Sequence, residues 1–516
     1  MHLFSRFRPS SPLALVLAFF AAASSIVLNR VVFEALPHTE DEVAFLFQAT
    51  TYARGHLLAP APPLPAAFFI PFVIVRDGMW FGKYPPGYPL VLSLGVLVGY
   101  PPLVNALAAA ACILLIVAIG RRWYDATTAW LAGLLLLVSP FFLLQAASLM
   151  AHTVCLALTL LFTCSFLATV DRPSARAAMP GMVALALLVL ARPLTALGVL
   201  LPFVLWSTWR FWRVPAWRPP ALLFAASGLL ATAALLAYNQ RTTGDPLVFG
   251  YQLWWPFDKV GFGSGISPDG YHTLRDGWFN TRRNVRALEQ LLYGWPGRLD
   301  LVPAVLVTAA AVIQALAHPF RLPPGRPLSR PTTLDLLLAA QAASLVLVHM
   351  AYWTTGEMYG PRYYAEALGS LALLSARGLL TALRWLETGW LLLAPSRQAP
   401  LILRVGAVLV LVSLIGWGLI RTGVPFWQSY RQWNHITAEP ARTIAERAPH
   451  GSLVLVPARY WTDYAPFFVR NDPWLQAPVI FALDPGPGHE EAFRQAFPGR
   501  ALYRADLQYA SLVPLP

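Results

Sequence analysis

The stretch LALVLAFFAAASSIVLNRVVFEALPHTEDE, Leu13 to Glu42, decides how the rest of the chain is read. Its apolar part, Leu13 to Val32, is long enough for one bilayer crossing of about 20 residues. Directly beyond it stand three carboxylates in succession, Glu40, Asp41 and Glu42, in a chain that is only 12% charged. A basic start at Arg6 and Arg8 followed by an apolar core and small residues also resembles a secretory signal, but the apolar run continues past the small residues. A retained membrane anchor is the reading that fits.

Composition extends that reading to the whole chain. Of 516 residues 57% are hydrophobic, with 19 Trp and 29 Phe, so a bilayer is the solvent the sequence expects. The formal net charge of +13 comes almost wholly from arginines scattered through short loops, which excludes a nucleic-acid face and fits positive-inside topology. Cys112, Cys155 and Cys164 all fall inside apolar runs without a paired spacing, so they read as packing residues.

About eleven apolar runs have span length or approach it. They are Leu13 to Val32, Leu103 to Gly120, Ala126 to Gln145, Leu149 to Val170, Ala177 to Ala191, Pro193 to Trp209, Ala221 to Tyr238, Leu301 to Ala317, Leu334 to Tyr352, Ala365 to Leu386 and Leu401 to Ile420. With the N-terminus in the cytoplasm, alternate loops carry Arg121 and Arg122, Arg172 and Arg176, Arg210, Arg213 and Arg218, Arg321, Arg326 and Arg330, and Arg384, Arg397 and Arg404. The opposite, extracytoplasmic side receives a first loop at 33–102, a long loop at 239–300, the short loop Trp353 to Tyr364, and the tail. The runs AAFFIPFVIV (Ala66 to Val75) and YPPGYPLVLSLGVLVGYPP (Tyr84 to Pro102) are expected as helices lying on the outer membrane surface. The expected organisation is therefore an all-α multi-pass domain over 1–423 and a small extracytoplasmic α/β domain over 424–516. In the tail, SLVLV and PVIFAL read as buried strands, and PARTIAERA and GHEEAFRQAF as helices.

Three constellations carry possible chemistry. Thr39 followed by Glu42 spells a capping box, and acidic residues in a first turn favour the helix dipole. That accounts for Glu42 and leaves Asp41 at the second helical position with a free side chain at headgroup depth. Lys83, one of only two lysines, precedes a stiff Pro-Pro pair, where it suits either a lipid phosphate or interfacial snorkelling. Arg362, among Tyr359, Tyr363 and Tyr364, offers a phosphate fork or a boundary anchor. The long loop adds Trp254, Trp255, Tyr271 and Trp278, which suit sugar stacking or the interface. GFGSG there follows no strand, and His272 has no partner at metal-ligand spacing.

Taken together, these residues resemble the GT-C superfamily of membrane glycosyltransferases, in the branch with protein O-mannosyltransferases and lipid A aminoarabinose transferases. The similarity rests on Asp41-Glu42 opening the first outer loop with Phe45, where Tyr is usual, then Ala49 and Gly55; on Lys83 to Pro86; and on Arg362-Tyr363 in a late outer loop. The resemblance implies transfer of a sugar from a polyprenyl-phosphate donor to an acceptor hydroxyl of a glycan, lipid or protein at the outer face of the plasma membrane. Asp41 and Glu42 are then the catalytic pair, with Asp41 as general base and inversion at the sugar carbon. Lys83, Arg362 and Tyr363 would take the phosphate, and Tyr84, Asp258 and His272 would contact sugar or acceptor. Asp258, Asp269 and Asp276 show no clear metal spacing, so no metal and no cofactor beyond the lipid-linked sugar is expected. A lipid or small-molecule transporter is the rival; such proteins usually carry ionisable residues within spans and internal symmetry.

Overall fold

The computed structural model describes residues 12–317, 331–393 and 398–516. The basic positions Arg6 and Arg8, Arg321, Arg326 and Arg330, and Arg397 lie outside the described residues. In chain order the helices of the first part are α1 (Pro12–Val32), α2 (Glu40–Ala53), α3 (Gly87–Leu97), α4 (Leu103–Trp123), α5 (Ala126–Leu137), α6 (Pro140–Ala147), α7 (His152–Asp171) and α8 (Ala175–Ala191). They continue as α9 (Pro193–Arg213), α10 (Arg218–Thr243), α11 (Gly250–Trp254), α12 (Leu274–Leu291), α13 (Val302–Ala317), α14 (Pro331–His349), α15 (Leu368–Leu393) and α16 (Ala399–Trp417).

Among the described residues nine helices are long and apolar enough to cross a bilayer, and a bent pair would make ten. The protein is a multi-pass membrane protein. Each of the eleven runs expected as spans falls on helix for most of its length, but two differ from a plain span. Ala126 to Gln145 is not one rod: α5 and α6 meet at a 60° bend. Pro140 has no N–H to continue the ladder, and Ser139 caps the new helix by accepting from Phe142 N at 3.2 Å. Ala177 to Ala191 lies within the 17-residue α8, packed between α7 and α10.

The first outer loop corrects one expectation. AAFFIPFVIV is not a surface helix; it makes a short 3-10 turn, Pro65–Phe68, and then the strand Val73–Arg76, paired antiparallel with Met79–Gly82. Asp77 and Gly78 close that hairpin with φ of 50° and 71°, the left-handed pair an Asp-Gly turn adopts readily. The run after Tyr84 does form a short apolar helix, α3. Gly87 at its start permits a close approach, since a Cβ there would lie 2.5 Å from the Ala191 nitrogen.

The tail folds as a four-stranded sheet in the order 479–483, 452–456, 501–506, 511–514, the first three parallel and the last antiparallel. SLVLV and the VIFAL of PVIFAL are its two leading strands, and helices at Glu439–Arg447 and Glu490–Ala496 fall where the sequence placed them. The apolar helix before it continues through a π turn to Gln428, past residue 423. This domain sits on the first outer loop: Ala438 N donates to the Glu34 carboxylate at 2.8 Å, Arg54 pairs with Asp472 at 3.2 Å, and Phe68 meets Phe468 and Phe497.

What holds the outer segments together is Glu42. The capping box is present: Glu42 N donates to Thr39 Oγ1 at 3.3 Å, and Glu42 Oε2 accepts from Thr39 N at 3.2 Å. The same oxygen accepts from His38 N at 2.9 Å and the Tyr359 hydroxyl at 2.8 Å, while Oε1 accepts from Leu149 N at 2.7 Å. One buried carboxylate thus ties α2 to the break before α7 and to the loop before α15. Gln in place of Glu42 turns one acceptor oxygen into a donor that faces donors. Glu42→Gln is expected to cost about 2–4 kcal/mol, read as a lower unfolding temperature of the purified protein, with Tyr359→Phe costing roughly 1 kcal/mol. Unchanged unfolding of Glu42→Gln would refute the clamp.

Candidate active site

Because Glu42 turns into the protein, Asp41, about 100° away around α2, turns out of it. Its carboxylate lines a cavity of about 610 Å3. Lys83, Tyr84, Asp258, Arg362 and Tyr363 line the same cavity, so residues from four distant parts of the sequence share one space. Two others do not. Glu42, expected beside Asp41 as a catalytic pair, is no part of the lining; its oxygens accept from His38, Thr39, Leu149 and Tyr359. His272, expected to contact sugar or acceptor, lies outside the cavity, buried and stacked on Phe262 at 5.2 Å, with Nε2 3.3 Å from Met350 O.

Asp41 is held from two sides. The Tyr84 hydroxyl donates to Oδ1 at 2.7 Å, and Arg362 Nη1 stands 3.5 Å from Oδ2. Burial pushes this carboxyl up, but the charges of Arg362 and Lys83 and the Tyr84 hydrogen bond outweigh it, so it stays below the usual carboxylate range. Burial and the adjacent Asp41 charge push the Tyr84 phenol well above its ordinary value, so its hydroxyl remains a donor. Tyr84 is therefore engaged with Asp41 in this state.

Lys83 is only 5% exposed. Its backbone N donates to Phe72 O at 2.9 Å, which ties it to the hairpin. The ammonium lies 3.3 Å from the centre of the Phe72 ring and 4.4 Å from that of Trp255, with Tyr84 and Tyr251 farther round. Among the described residues it makes no ion pair; ring faces meet its charge. Burial pulls its pKa down to about 8, against the opposing pull of Asp41 and Asp258.

Arg362 begins a 3-10 turn, Arg362–Ala367, after Gly360 and Pro361. Gly360 has φ of 92° and abuts Phe141, so neither a side chain's backbone preference nor its volume is tolerated there. Arg362 is 13% exposed; its Nε and Nη1 are buried without a hydrogen bond, and Nη1 is the nitrogen that faces Asp41. Asp258 is pinned by the Tyr352 hydroxyl at 2.8 Å and Trp353 Nε1 at 2.9 Å.

Arg192, His152, Thr195 and His349, none of them among the residues expected at the site, also line the cavity. One signal was present. Arg192 is the sole residue between two apolar runs, on the side that the arginine bias assigns to the outer face, where a lone arginine is out of place. Among the described residues no group of three or more His, Cys, Asp or Glu side chains is placed to hold a metal ion.

No protein-family model matches the chain. No curated protein matches its sequence either. Solved structures do match. ArnT from Cupriavidus metallidurans bound to undecaprenyl phosphate aligns over 97% of this chain and 94% of that one, with a TM-score of 0.54 and 15% identity. The apo form of ArnT from the same organism aligns over the same shares with a TM-score of 0.52 and 16% identity. At such identities the likeness speaks for architecture alone: the chain shares the fold of ArnT.

Proposed function

We propose that the protein transfers a sugar from a polyprenyl-phosphate donor to an acceptor hydroxyl at the outer face of the plasma membrane, with Asp41 as general base. The observation that carries this reading is the pairing of Asp41 with Arg362 on a cavity that Lys83 also lines. An acid, two cations and aromatic walls in one largely apolar cavity suit a reaction that moves a proton from a hydroxyl while a phosphate departs. A volume of about 610 Å3 also falls within the range of about 300–1,000 Å3 usual for small-molecule sites. ArnT, whose fold this chain shares, was solved with undecaprenyl phosphate, which supports a lipid phosphate as the donor's leaving group.

The step is a direct displacement. A bond forms between the acceptor oxygen and the anomeric carbon; the bond from that carbon to the phosphate oxygen breaks, and its electron pair leaves with the polyprenyl phosphate. The proton of the acceptor hydroxyl passes to Asp41, and attack from the face opposite the phosphate inverts the sugar carbon. Facing only Arg362 and Lys83, Asp41 is a weak base, because both stabilise its anion. A phosphate seated on those cations competes for them, so donor binding raises the basicity of Asp41 when it is needed. The alcohol's acidity also rises as its oxygen bonds to carbon, so proton transfer comes late. Arg362 and Lys83 then stabilise the departing phosphate in a water-poor site, the larger electrostatic task. The lipid-linked sugar is a co-substrate, and the reading calls on no cofactor and no metal.

Asp41→Asn is expected to lower sugar transfer by about 10²–10⁴-fold while the unfolding temperature stays near that of the wild type. Transfer close to wild type would reject Asp41 as the base. Lys83 makes a pH prediction. It is charged below its pKa of about 8 and neutral above it, so kcat/KM is expected to fall as pH rises through about 8. In Lys83→Met, turnover should be low throughout and that alkaline limb absent; an unchanged limb would assign it to another group.

A further inference from the structure

Arg192 stands at the turn between α8 and α9, on the floor of the same cavity. Its guanidinium has only donors, and this settles the protons around it. Nη1 lies 3.0 Å from His152 Nε2, so that nitrogen accepts and Nδ1 carries the hydrogen, 3.4 Å from Glu366 Oε1. Nε donates to Thr195 Oγ1 at 3.0 Å and lies 3.5 Å from the same Glu366 oxygen. His349 Nδ1 is 3.0 Å from Leu345 O, which only accepts, so His349 Nε2 is the acceptor for the Thr195 hydroxyl at 3.4 Å. In this chain both histidines are neutral, and the guanidinium is held through Nη1 and Nε on its protein side.

Its counter-charge lies behind it. Glu366 is fully buried and is no part of the cavity lining, so the Arg192 and Glu366 pair presents its positive end to the cavity. Both Glu366 oxygens are buried without a hydrogen bond, which makes the pair a costly element to keep for packing alone. Arg362 is different, because it already faces Asp41. Both guanidinium carbons lie over one ring: Arg192 at 5.7 Å and Arg362 at 5.6 Å from the centre of Tyr363.

We infer that Arg192 and Arg362 form a two-guanidinium clamp across Tyr363 that seats the donor's phosphate, with Arg192 as the main anchor and His152, Thr195 and Glu366 as positioning residues. The inference rests on the lipid-phosphate reading above and adds the residue that carries most of the headgroup affinity. Two forks meet several phosphate oxygens at once, which a lone Lys83 ammonium does not. It also leaves Arg362 free to share its charge between phosphate and Asp41.

The test titrates the purified full-length protein in detergent with undecaprenyl phosphate, undecaprenol and inorganic phosphate, and reads binding as a ligand-induced rise in unfolding temperature. The wild type should prefer undecaprenyl phosphate to undecaprenol. Arg192→Gln should lose about tenfold or more in affinity for undecaprenyl phosphate while undecaprenol binding changes by less than about twofold; Arg192→Lys should fall between. Inorganic phosphate should compete in the wild type and not in Arg192→Gln. If Arg192→Gln does not fold, Thr195→Val decides, since it keeps the charge and loosens Nε: a severalfold weaker phosphate affinity supports the clamp and an unchanged one overturns it. Wild-type affinity for undecaprenyl phosphate in Arg192→Gln overturns the clamp and leaves the proposed function standing. A wild type that does not distinguish the phosphate from the alcohol overturns the lipid-phosphate reading itself.

Discussion

A carboxylate sealed from water must find donors for its lone pairs, and Glu42 finds them in three separate segments. His38, Thr39, Leu149 and Tyr359 all donate to it, so the start of α2, the break before α7 and the loop leading to Arg362 share one anchor. The rest of the site follows from that anchor. With Glu42 turned inward, the helical repeat turns Asp41 toward the cavity, and Tyr359 fixes the loop that delivers Arg362 to it. The tail domain supports the same helix from the other end, through Arg54 and Asp472.

The cavity then separates its cations by how each is compensated. Lys83 has ring faces and distant carboxylates, and its charge is easily lost. Arg362 has Asp41 in front of it, and Arg192 has Glu366 behind it. A guanidinium stays ionised where an ammonium does not, so the arginines supply permanent charge while the lysine supplies charge that depends on pH. Such donors are oriented by the fold itself, so they need no reorganisation to meet an anion.

Much of this was legible in the residues. Spans follow from apolar length, and the capping box from Thr39 and Glu42, because both depend on neighbours in sequence. The two leading strands of the tail follow from short β-branched runs. What escaped was contact across distance. Nothing local distinguishes Glu42 as a clamp for Tyr359, whereas Ser139 and Pro140 did mark locally the break in one expected span. The hairpin after Ile70 was hidden by its apolar composition, although Asp77-Gly78 marked its turn. His272 looked as eligible as Asp258 in the same loop, yet the fold turns one against Phe262 and the other toward the cavity.

By itself the sequence determined that the chain lives in a bilayer, where its helices lie, and that a helix opens at Thr39 with an acid free beside the cap, since hydropathy and capping act over a few residues. Only the tertiary structure decided which charges meet. Asp41, Lys83, Arg192 and Arg362 are separated by tens to hundreds of residues, and an electrostatic partner is chosen by distance in space and by the water excluded between the groups.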